Sequence, residues 1–90
     1  MRMLVPNAQE IRRFLKGDYK VLEVVLESEK VIKSIFGDVP LEMLLSQDYG
    51  AGIFIHIKYE GEDAMSKMEK FDKWYMKNLK RVDGKLNFLI

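Results

Sequence analysis

Residues 18–38, DYKVLEVVLESEKVIKSIFGD, decide what kind of fold this chain can adopt. Their valines argue for a strand over 20–27, because β-branched side chains fit a pleated surface. Their period argues for a helix. Lys20, Glu23, Glu27, Lys30 and Ser34 recur at spacings of three and four, which leaves Val21, Leu22, Val25, Ile32 and Phe36 on the opposite face. Asp18 can cap the start of such a helix and Gly37 its end. The helix is the better reading. Its alternative is a strand, a turn and a second helix beginning near Ser28.

Upstream, PNAQEIRRFLKG (6–17) places Asn7 as an N-cap with Glu10 three residues later, the spacing of a capping box. Ile11, Phe14 and Leu15 share one face and Gly17 suits a stop, so a short helix is predicted over 8–16. Downstream, PLEMLLSQDYGAGIFIHIKYE (40–60) has two arms of strand length around the Gly-rich QDYGAG and reads as a β-hairpin. In the second arm Ile53, Ile55, Ile57 and Tyr59 alternate with Phe54, His56 and Lys58, which puts the isoleucines on the core side. Residues 62–80 read as a helix with Glu62 and Asp63 in the first turn and Lys77 and Lys80, with Arg81 next, at the end. KLNFLI closes the chain as a strand.

The predicted fold is therefore α+β in the order ααββαβ, a single domain over 1–90. Its sheet has three strands, with the 62–80 helix on one face. The crossover from hairpin to last strand implies at least one parallel pairing. Leu44, Phe54, His56 and Leu89 fall on the other face, an apolar stripe that needs cover. Either the two N-terminal helices fold over it, or a second subunit does.

Ninety residues at 48% hydrophobic and 32% charged suit one modest core and exclude a disordered tail. The net charge of +1 excludes a strongly basic protein but not a basic patch. Cysteine is absent, so neither disulfides nor thiolate chemistry is expected. No apolar run approaches the roughly 20 residues of a membrane span, and the first residues lack a signal-peptide pattern, so the expected home is cytoplasmic. The weight of Lys and Glu over Asn and Gln fits a thermophilic source.

Two residues of the 62–80 helix stand out. On a helical wheel Ala64, Met65, Met68, Phe71, Tyr75, Met76 and Leu79 form one apolar arc, and Asp72 lies inside it. A carboxylate there needs a hydrogen-bond or ion-pair partner, so Asp72 is expected to make a structural polar contact whose loss lowers the melting temperature. Trp74 points away from the arc, towards Lys67, Lys70, Lys77 and Arg81. A tryptophan among cations suits a protein-interface anchor or, alternatively, a stacking platform for nucleic acid. The third option is cover by the chain's own terminus or loop. Acids at 62, 63, 69 and 72 dilute the basic stripe.

No phosphate-cradling glycine loop or nucleophile elbow occurs. The single histidine, His56, has no cysteine to join it in a zinc site. No catalytic residue, cofactor or metal is predicted. IFGDVPLE (35–42), FDKWY (71–75) and GKLNF (84–88), with the hairpin, resemble a group of small prokaryotic proteins of uncharacterised function. That group carries a Phe-Asp-x-Trp segment before a terminal Gly-Lys-Leu strand. The resemblance implies a shared structural or binding role for Phe71, Asp72 and Trp74, and no activity. Tyr75 stands where the pattern has a second tryptophan. The expected function is a non-enzymatic interaction module that homodimerises or binds a protein partner.

Overall fold

The computed structural model describes residues 3–46 and 52–90. Within them the order is β1 (Met3–Leu4), α1 (Ala8–Leu15), α2 (Tyr19–Phe36), β2 (Leu41–Ser46), β3 (Gly52–Ile57), α3 (Ala64–Met76), α4 (Leu79–Val82) and β4 (Leu86–Leu89). The class is α+β, as expected, but the sheet has four strands rather than three. β1 is the addition. Two residues are too few to show a period, so Met3–Leu4 carried no strand signal.

Segment 18–38 forms one helix, α2, at Tyr19–Phe36. The Asp18 side chain accepts from the Val21 N–H at 3.4 Å, capping the first turn, and Gly37 ends it at φ 85°, a backbone that favours glycine. Period outweighed composition because six of its side chains, Val21, Val24, Val25, Ser28, Ile32 and Phe36, are buried along one face. α1 ends one residue earlier than expected, with Lys16 itself left-handed at φ 46°. Asn7 stands at the N-cap of α1, but its side chain makes no capping bond. Its buried Oδ1 finds no partner among the described residues. The capping box is therefore not formed.

The sheet order is β1-β2-β3-β4. β2 and β3 pair antiparallel from Leu41↔Ile57 to Ser46↔Gly52, the expected hairpin, whose turn 47–51 lies outside the described residues. The outer strands β1 and β4 pair parallel to β2 and β3 respectively. Ile53, Ile55 and Ile57 are fully buried, with Leu41, Met43 and Leu86 beside them. They form one core with Ile11 and Leu15 of α1, Val24 and Ile32 of α2, Phe71 of α3 and Val82 of α4.

That single core shows that every helix lies on the same face of the sheet. Of the two covers expected for the second sheet face, the N-terminal helices do not supply theirs, so the helix–sheet–helix alternative is not formed. A topological consequence follows. Both crossovers step the same way across the sheet, yet β1 and β2 run opposite to β3 and β4. With all helices on one face the two connections have opposite hands, so one departs from the usual right-handed rule. Strand twist enforces that rule, and outer strands of two and four residues supply little of it.

Candidate functional site

The open face of the sheet is the candidate site. Its residues are Leu4 of β1, Glu42, Leu44 and Ser46 of β2, Phe54 and His56 of β3, and Asn87 and Leu89 of β4. Alternation places them there, because their neighbours along each strand are the core residues. Register lines them into rows. Leu44, Phe54 and Asn87 stand side by side, and Leu4, Glu42, His56 and Leu89 form the next row. Leu44, Ser46, Phe54 and Leu89 enclose a shallow depression of about 240 Å³. Leu4, Leu44 and Leu89 keep 46%, 37% and 40% of their surface in solvent. The four residues expected on this face, Leu44, Phe54, His56 and Leu89, are thus brought together. Leu4 was missed because its strand was.

Charge on this face is sparse and balanced. Glu42 sits directly opposite His56, and Lys58 lies just beyond the end of β3. Such a surface can bury apolar area against a partner, and it has few groups with which to grip a charged ligand.

The helix α3 turns a different face inward from the one expected. Its sheltered residues are Ala64, Lys67, Met68, Phe71, Trp74 and Tyr75, with Asn78 just beyond its end, whereas Met65 and Met76 are 74% and 68% exposed. At about 100° per residue this is a rotation of roughly 70° from the predicted arc. Area decides it. Rings of Phe, Tyr and Trp each bury more apolar surface than a methionine, so the helix buries its aromatics. Phe71, fully buried, meets the rings of Trp74 at 5.5 Å and Phe88 at 4.7 Å. The Tyr75 hydroxyl donates to the Leu86 carbonyl, and burial pushes its pKa up.

Asp72 is exposed and makes no hydrogen bond or ion pair with the described residues, so the structural contact expected of it is absent. Trp74 is half-buried against the core rather than standing free among lysines. The chain's own core covers it, not a terminus or loop. His56 lies on the opposite side of the sheet from α3, so it forms no pair with Asp72.

The basic stripe is partly spent inside the chain. Lys67 Nζ donates to the Tyr59 hydroxyl at 2.9 Å and meets Asp63 at 3.3 Å. The bond to Tyr59 holds Lys67 above the usual lysine value, and the Tyr59 hydroxyl, donating to Asp63, holds that carboxyl low. Arg81 bonds Glu27 at 2.6 Å and Glu23 at 3.3 Å, clamping α4 to α2, and the Glu27 bond raises its pKa. Lys70, Lys73, Lys77 and Lys80 remain exposed on the helix layer.

Among the described residues no three His, Asp or Glu side chains gather as metal ligands. No helix among them is long and apolar enough to cross a membrane. No protein-family model, curated protein or solved structure matches this chain.

Proposed function

We propose that this protein is a non-enzymatic interaction module whose docking surface is the open face of its sheet. One observation carries the reading. Four helices pack on one side, and the other side keeps Leu4, Leu44 and Leu89 exposed around a half-buried Phe54. Natural sheets normally cover such a face, and a contiguous apolar patch rimmed by polar groups is what an interaction site looks like. The face also combines a ring at its centre with small charge, the composition of an interface core.

Radical footprinting tests the reading. The chain is labelled once in dilute buffer and once in the lysate of its own source cells. Protection of Leu44, Phe54 and Leu89 in lysate is expected, with Met65 and Met76 labelled equally in both samples as internal controls. Equal labelling of the sheet face in both would sink the proposal.

The alternative reading, an accessory nucleic-acid binder, draws support from exposed Lys70, Lys73, Lys77 and Lys80. It is the weaker one, because Lys67 and Arg81 already have acidic partners and Trp74 is half-buried. Its signature is binding that weakens steeply as salt rises. A titration followed by Trp74 emission is expected to stay flat.

A further inference from the structure

We propose that the outer edge of β2, past the end of β1, takes up an extended acidic peptide as an added strand, with an apolar side chain seated beside α1. The proposal does not rest on the docking reading above, because it concerns an edge of the sheet and not its open face. Hydrogen-bond direction locates the site. The Lys58 N–H donates to the Pro40 carbonyl at 3.1 Å, so the even-numbered residues from Pro40 onward turn their backbone groups to β3. The odd-numbered residues turn theirs to the β1 side. There β1 pairs with Leu41 and Glu42 only, and Pro6, two residues on from Leu4, has no N–H with which to extend the ladder. The Met43 carbonyl and the Leu45 N–H and carbonyl are thus aimed at an edge that holds no strand among the described residues.

Such an edge selects its occupant. Only an extended backbone offers donors and acceptors at the spacing of a strand, which is how peptides add to sheets. Natural edges are blunted by charge or proline, and Met43, Leu44 and Leu45 supply neither.

The side-chain chemistry comes from α1, which packs against β2. Glu10, Arg13 and Phe14 of α1 and Leu45 of β2 line an open groove of about 320 Å³. Leu45 lies on the core side of β2, so every second side chain of an added strand would turn towards that groove. Phe14 and Leu45 suit an apolar one. Charge sets its neighbours. α1 and its C-cap carry Arg12, Arg13 and Lys16 against Glu10, and none of these cations pairs with an acid among the described residues. The complement is a strand whose groove side alternates an apolar residue with acids. A few backbone bonds and one seated side chain make a weak, reversible complex, with a dissociation constant of about 10 μM to 1 mM.

The test is a titration of the full chain, followed by its amide resonances, with a blocked peptide. The peptide has a central valine, glutamate two residues to either side and threonine between. Saturable shifts are expected at Leu45, Phe14 and Arg13. The peptide with lysine for glutamate, and the peptide N-methylated throughout, should each bind about ten-fold more weakly or worse. Arg13→Glu should weaken the acidic peptide by a similar factor. Arg13 is exposed, so this variant should keep the wild-type circular-dichroism spectrum; if it does not, Arg13→Ala serves the same test. No shift at Leu45 with ~2 mM peptide overturns the proposal. So does equal binding of the lysine or the N-methylated peptide, or binding that Arg13→Glu leaves unchanged. Shifts confined to Lys70, Lys73, Lys77 and Lys80 overturn it too, by showing capture through charge alone, and shifts confined to Leu44, Phe54 and Leu89 place the peptide on the open face instead.

Discussion

At the scale of single residues, Phe71 and Asp72 are neighbours with opposite consequences. Phe71 is fully buried in an aromatic cluster with Trp74, Tyr75 and Phe88. Phe71→Ala should cost about 3–5 kcal/mol, seen as a lower melting temperature, and should move Trp74 emission to the red as water reaches the indole. Asp72→Ala should change stability by less than about 0.5 kcal/mol, because an exposed side chain without partners among the described residues has little to lose. A large loss from Asp72→Ala would mean that the face of α3 has been assigned wrongly. The sequence wheel errs here for a definable reason. It counts apolar residues equally, and Met65, Met76 and Leu79 pull the arc towards Asp72. Folding weighs buried area, and it also admits Lys67, whose stem can shelter while its amine reaches Tyr59 and Asp63.

At the scale of elements, the ends of the helices are held by charge. Lys85 Nζ meets Asp18 Oδ2 at 2.9 Å, tying the residue before β4 to the start of α2. The bond from Lys85 holds Asp18 below its usual 3.8, and the same bond holds Lys85 above its usual 10.5. A depressed carboxyl contributes stability that is present above 3.8 and is lost as pH falls through the lower, folded value. A raised lysine contributes stability that is present below 10.5 and is lost as pH rises through the higher, folded value. Asp18→Asn isolates the pair, since asparagine caps a helix about as well as aspartate. Thermal melts at neutral pH and below 3.8 should show a smaller acid loss in the variant than in the wild type. An equal loss would show that the pair contributes nothing. Most elements were legible in the chain. α2 has period and caps, and the hairpin has alternation on both arms. β1 was not legible, because a two-residue strand is defined only by the partner it finds, Leu41 and Glu42, some 38 residues later in the chain.

At the scale of the whole molecule, layer order and handedness are the properties that local patterns do not carry. Both amphipathic N-terminal helices could have packed on either sheet face, since each shows only that one side must be buried. Packing them with α3 builds one core from all four helices and gives up cover for the other face. The candidate site was legible to the extent that alternation grouped Leu44, Phe54, His56 and Leu89. That it stays open was not, because openness depends on where distant helices settle. The same choice forces one crossover into the rarer hand. Tyr75→Phe probes how firmly the outer strand β4 is held, since it removes the hydroxyl that bonds the Leu86 carbonyl. It should cost about 1 kcal/mol and speed amide exchange in 86–89 ahead of the rest of the sheet. Uniform exchange along β3 and β4 would show that Tyr75 does not secure the strand.

In the function proposed, the sheet face, and not the helix layer, makes this protein's contacts. Leucine and methionine methyl resonances report both surfaces at once. We would record them for the labelled chain dilute in buffer, then concentrated, then in the lysate of its source cells. Shifts or broadening are expected at Leu4, Leu44 and Leu89 while Leu22, Leu26, Met65 and Met76 stay unchanged. Perturbation confined to those helix-layer residues would overturn the docking proposal.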